Sequence, residues 1–278
     1  MRQKPDPPQS PGAAGQRLAG WVAAFSIVIC VPALAGQAGP STFLPTFAPA
    51  PGLSLAWLDC PGGPAAVSDL VFACDDNASS FALVCSVVMA QPLAGVIGAE
   101  MVVDLQHSAA SLPDWWRLDA SGTGGCRTGS VTTGLDWSAS AGCTDAWQGR
   151  GFSDLQGFTI GLPDHPSASQ ARLKPVAGVL SSDAVTLGAG VTLGLIQIVI
   201  HSGNTVAPGL VCAGCAGSAC LVFNSAWLRV LPGQGADVLV TGAALPGSNW
   251  ATWRGSGADC SLVPARHSTW GQIKSLYR

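Results

Sequence analysis

Apolar and polar positions alternate along much of the chain with a period of two, the repeat of a half-buried strand. In Val96–Gln106, Ile97, Ala99, Met101, Val103 and Leu105 take one face. Gly98, Glu100, Val102, Asp104 and Gln106 take the other. Within Val191–His201, Ile196, Ile198 and Ile200 oppose Gln197, Val199 and His201. In Phe81–Ala90 the odd positions Phe81, Leu83, Cys85, Val87 and Met89 form an apolar face. Shorter apolar segments fall at Leu53–Leu58, Leu70–Cys74, Trp115–Leu118, Ser130–Thr133, Phe158–Leu162, Leu173–Val179, Cys220–Leu231 and Val238–Val240. Turn residues such as Pro61-Gly62-Gly63, Gly122–Gly125 and Pro208-Gly209 separate them. The pattern predicts an all-β fold, a two-sheet antiparallel β-sandwich, with residues 53–278 as a single domain.

Both ends break the pattern. Ala19–Val31 is a run of 13 uncharged residues behind Arg2, Lys4 and Arg17. That suits the core of a signal peptide and falls short of the ~20 residues of a membrane span. Ala33 and Ala35 supply the small residues a signal peptidase reads, so residues 1–35 are expected to be a signal peptide cleaved before Gly36. An uncleaved anchor is the rival. Residues 36–52 carry Pro40, Pro45, Pro49 and Pro51 and read as an extended Pro-rich linker. At the other end, Ser268 and Thr269 can cap a short helix, which would bring Trp270, Ile273, Lys274 and Tyr277 to one face. Such a helix cannot hold alone in water and is expected to dock on the sandwich. A segment read by another protein as a sorting signal is the alternative.

Composition narrows the classes. Only 10% of the 278 residues are charged, far below the ~25% of an ordinary soluble domain. Without residues 1–35 the chain has 10 basic and 15 acidic residues, and all the acids but Glu100 are Asp. A charge-poor, mildly acidic surface argues against nucleic acid or anionic lipid as partner. The expected partner is a glycan or a cell-surface protein, with no stable membrane span after signal cleavage.

Nine cysteines follow residue 35, and in an exported chain disulfides are the default. Cys60 and Cys74 flank one turn, and Cys126 and Cys143 flank one loop. Each pair would close a loop of ~15 residues. Two further bonds are expected among Cys212, Cys215, Cys220 and Cys260, in any of three connectivities. Cys85, on an inward strand face, is the expected free thiol. A zinc site from His201, Cys212, Cys215 and Cys220 is the competing reading. Its spacing lacks a second C-x2-C, and we expect neither metal nor cofactor.

Glu100 and Asp104 are a tempting carboxylate pair. Four strand residues separate their Cα atoms by ~13 Å. Glycosidase carboxyls lie ~5–5.5 or ~6.5–9.5 Å apart, so a solvated strand face is the better reading. Asp75-Asp76-Asn77 reads as a capped turn, since it lacks the alternating spacing of a calcium loop. Asn77-Ala78-Ser79 matches a glycosylation sequon. The sequence carries no G-x-S-x-G, H-E-x-x-H or P-loop. Tryptophan is the unusual feature, with nine beyond residue 35. Adjacent Trp115 and Trp116 on a strand would point to opposite faces, which would turn Trp116 outward. Trp250 and Trp253 lie close together near the carboxyl end. Exposed Trp can stack on sugar rings or anchor a protein. Trp116, Trp250, Trp253, Glu100 and Asp104 are therefore the candidate binding residues.

Several segments together resemble exported, disulfide-containing β-rich proteins of environmental bacteria. They are Leu55-Ala-Trp57-x-Asp59-Cys60 with Phe72-Ala-Cys74, Val103-Asp104-Leu105-Gln106 with Leu112-Pro113-x-Trp115-Trp116, and Gly125-Cys126-Arg127. Cys212-Ala-Gly-Cys215, Cys220-Leu-Val-Phe-Asn224 and the ending Thr269-Trp-Gly-Gln-Ile-Lys-Ser-Leu-Tyr-Arg278 complete them. The resemblance implies export and disulfides and carries no activity; Cys85 departs from it. More loosely, a Val-Val-Asp strand followed at a distance by Gly-Val-Thr-Leu-x-x-Ile-x-Ile is similar to cohesin-type or carbohydrate-binding sandwiches. The expected fold is thus a jelly-roll or cohesin-like sandwich stapled by disulfides. The expected function is binding, adhesion or structure at or outside the cell surface, without catalysis. The rival is a secreted hydrolase acting on polysaccharide with Asp and Glu on an open sheet face.

Overall fold

A computed structural model describes residues 51–118, 125–162, 167–243, 248–255 and 260. The expected signal peptide and the helix at 268–278 lie outside the described residues, as does the linker apart from Pro51 and Gly52.

Two sheets face each other. The first contains β1 (Gly52–Trp57), β3 (Ser80–Val88), β10 (Thr192–His201) and β5 (Val131–Gly134), in that order, with β6 (Thr144–Asp145) also on β10. The second runs β2 (Asp69–Leu70), β13 (Trp250–Trp253), β11 (Ala219–Val230), β4 (Leu93–His107), β8 (Gln170–Gly178) and β7 (Phe152–Ile160). In it β12 (Val238–Thr241) pairs with β11, and β9 (Val185–Leu187) pairs with β4. Pairing is antiparallel except for the short parallel contacts of β6 with β10 and β13 with β2 and isolated parallel bridges of Leu53 with Ala243 and Met89 with Ala189. The architecture is a two-sheet β-sandwich.

The period-two faces meet in the core. Leu83, Cys85 and Val87 of β3 and Ile196, Ile198 and Ile200 of β10 are buried, as are Ala99, Met101, Val103 and Leu105 of β4. Cys85 is buried and unbonded, and burial raises its thiol far above the ordinary range.

Trp115 and Trp116 correct the sequence expectation. They lie not on a strand but on a 3-10 turn, Asp114–Trp116, and both are fully buried. With three residues per turn, neighbours sit roughly 120° apart rather than opposed, so both rings can point inward. Their rings pack edge-on, 5.0 Å apart, and both contact Trp253. Buried indole N–H groups need acceptors. Trp57 donates to the Thr252 carbonyl, Trp115 to the Thr205 hydroxyl and Trp253 to the Cys215 carbonyl.

The disulfides also correct the expectation. All eight expected cysteines are bonded, but as Cys60–Cys143, Cys74–Cys215, Cys126–Cys212 and Cys220–Cys260. Neither Cys60–Cys74 nor Cys126–Cys143 forms, and Cys220–Cys260 is the only bond within the expected foursome. The reason is packing between loops that are distant in sequence. Asp59 accepts the Gly142 N–H at 3.0 Å, and a Cβ on Gly142 would meet Gly63 at 2.6 Å. That contact brings Cys143 onto Cys60. Asn204 donates to the Cys126 carbonyl and accepts the Cys212 N–H through its own carbonyl, setting Cys212 against Cys126. Buried Arg127 donates to the carbonyls of Trp115, His201 and Gly203, while its guanidinium lies 4.2 Å over the Trp115 ring. Burial lowers its pKa to about 10.

Candidate functional site: a groove on the outer face of the larger sheet

The second sheet turns its other face away from the core. On β11 the side that faces outward changes midway. Leu221 and Phe223 point inward, then a bulge lets two residues, Asn224 and Ser225, pass where β4 advances by one, from Val103 to Val102. A bulge resets the alternation. Ala226 and Leu228 are buried after it, while Trp227 stands outward, 44% exposed and directly opposite Glu100.

Trp227 forms one wall of a groove of ≈ 760 Å³ that crosses the sheet. Leu239 of β12 adjoins it, and Ser225 and Arg229 flank it on β11. Phe152 and Gln156 of β7 line the groove at the opposite edge of the sheet. Lys174 and Val176 of β8 and Glu100 and Val102 of β4 lie between. The floor includes Gly98 and Gly178, which pair across β4 and β8. A Cβ on Gly178 would sit 2.7 Å from the Ile97 carbonyl, so this close approach of strands admits only glycine, and Phe152 extends beside it. Bare backbone deepens the groove there.

The charges in the groove restrain the indole. The Arg229 guanidinium lies 4.4 Å from the Trp227 ring centroid, a cation–π contact. Arg229 is in turn paired with Glu100 at 3.5 Å and Asp237 at 3.1 Å. The other oxygen of Asp237 accepts the Val230 N–H at 2.8 Å, which anchors the chain of contacts to backbone.

The sequence candidates separate. Glu100 lines the groove. Asp104 does not share a solvated face with it: it is fully buried. Arg172 opposes it in register and donates to both carboxylate oxygens at 2.6 and 2.7 Å, and Asn224 adds a third bond at 2.6 Å. The hydrogen bonds and charge of Asp104 raise the Arg172 pKa above its ordinary value. Trp116 and Trp253 are core residues, not surface ones. Trp250 is on the outer face opposite Val222, 41% exposed, but does not line the groove. Trp227, Phe152 and Arg229 were not among the candidates. The change from odd to even apolar positions after Asn224 was the available signal for Trp227.

The competing sites resolve too. Cys212, Cys215 and Cys220 are in disulfides, and His201 Nε2 lies 2.9 Å from the Thr132 hydroxyl, so the zinc set is not assembled. Asp76 caps its own turn and accepts the Ser202 hydroxyl. Asn77 of the sequon uses its carboxamide to hold residues 205 and 206.

Fold and groove together define a disulfide-stapled β-sandwich with an open sheet face. No protein-family model matches the chain, and no curated protein matches its sequence. Among solved structures it is similar to a cohesin module from the family 33 glycoside hydrolase of Clostridium perfringens ATCC13124, at 8% identity and a TM-score of 0.30. That match covers 70% of this chain and 98% of the module.

Proposed function

We propose that the protein is an exported, non-catalytic binding protein that works at or outside the cell surface through the outer face of its larger sheet. The observation that carries this reading is the groove with Trp227 exposed yet braced by Arg229. Exposed Trp227, Leu239 and Phe152 share this one groove, and apolar residues gathered on a surface mark a binding site where a lone one would not. The carboxylates support binding over hydrolysis. Buried Asp104 is committed to the Arg172 fork, and Glu100 is paired with Arg229. A general acid and its partner carboxylate would both have to face substrate. Four disulfides suit an oxidising compartment, consistent with export through residues 1–35. No helix among the described residues is long and apolar enough to cross a membrane.

The test pairs retention with cleavage. The secreted protein is incubated with purified cell-envelope and plant-type polysaccharides, and both bound protein and new reducing ends are measured. Retention without new reducing ends is expected. Release of reducing ends above a heat-treated control would replace this reading with the hydrolase.

A further inference from the structure

Given the binding reading above, we propose that the groove's ligand is an uncharged polysaccharide, with Trp227 as its stacking platform. A pyranose presents an apolar C–H face and a rim of hydroxyls. It therefore needs a fixed aromatic plane with hydrogen-bonding groups beside it. Trp227 is such a plane: Arg229 covers one face of the ring while the residue stays 44% exposed, and Glu100, Lys174 and Ser225 lie within the same groove. The groove spans β12, β11, β4, β8 and β7, about 19 Å at strand spacing. Its apolar residues include Trp227 toward one edge and Phe152 at the other, a layout for an extended chain rather than a single ring.

Charge selects the neutral class. Glu100 in the groove and Asp237, which pairs with Arg229 from outside the lining, together balance Arg229 and Lys174, and Arg229 is already shared between the two carboxylates. An acidic sugar would have to compete with both for the guanidinium. A protein partner fits less well, because covering Trp227 would also desolvate Glu100 and Arg229 beside it. Acidic side chains such as Glu100 are depleted from interface centres for that reason, although Arg is not. A sugar leaves these charges wet and uses them through its hydroxyls.

Isothermal titration of the secreted protein tests this with hexasaccharides of β-linked glucose, xylose, mannose and N-acetylglucosamine, and with hexagalacturonate as the acidic arm. At least one neutral hexasaccharide is expected to bind. Trp227→Ala should weaken it by about ten-fold, Trp227→Phe should retain much of the affinity, and Trp250→Ala, outside the groove, should bind as wild type. Melting curves of each variant separate lost binding from lost fold. Neutral binding that survives Trp227→Ala overturns the platform. Binding of hexagalacturonate alone overturns the charge argument. If no hexasaccharide binds, the saccharide proposal falls, whereas the broader binding reading stands or falls on the retention assay.

Discussion

Asp104 shows how much one side chain can depend on its neighbours. A carboxylate without exposure is tolerable only because Arg172 and Asn224 fill its lone pairs. Removing the guanidinium with Arg172→Met should cost about 3–5 kcal/mol, because it strands a buried charge. Urea denaturation would show a lower midpoint at unchanged slope. The double variant Asp104→Leu/Arg172→Met should recover much of the loss, since it removes the charge as well. Asp76 gives a pH-dependent counterpart. Bonds from the Ser79 hydroxyl and N–H, then from Ala78 and Ser202, lower its pKa from 3.8 to about 2. Its folded pKa lies below the unfolded one. Its contribution is therefore whole above pH ~4 and fades as pH falls toward ~2. Asp76→Asn should be less stable than wild type at pH 6, and the gap should narrow between pH 4 and pH 2.

At the scale of the element, strand phase decides what reaches the surface. The bulge at Asn224 sends Trp227 outward; restoring simple alternation would send it into the core. Deleting Asn224 should therefore force Trp227 and Arg229 against the apolar interior. The expected result is loss of the cooperative melt or of soluble protein, whereas Asn224→Ala, which keeps the count and loses one of the bonds to Asp104, should still fold but melt at a lower temperature. The same physics separates what was legible in the sequence from what was not. The faces of β3, β4 and β10 could be read directly, because an unbroken period-two pattern names its own buried side. Cys85 followed from that pattern. Trp116 did not, because a 3-10 turn and a strand look alike over a stretch as short as three residues. The salt bridge of Asp104 and the disulfide partners depend on which strands and loops become neighbours. Sequence separations of 83 to 141 residues carry no local mark of that. β7 begins at Phe152, six residues before its expected start, because its early polar positions lie on an exposed edge.

At the scale of the whole molecule, the two faces of the larger sheet are built for different tasks. The inner face joins an aromatic core around Trp57, Trp115, Trp116 and Trp253. Disulfides over long loops reinforce it, each worth on the order of 4–5 kcal/mol in the chain-entropy model for loops near 100 residues. That rigidity lets the outer face hold an exposed indole and a glycine floor in fixed relation. This outer groove is where we propose that the protein meets its partner. Hydroxyl-radical footprinting of the purified protein, alone and with any polysaccharide found to retain it, reads each exposed aromatic separately. Protection of Trp227 and Phe152 is expected, with Trp250 unchanged. Protection that falls elsewhere and leaves Trp227 and Phe152 as reactive as in the free protein would contradict the proposal.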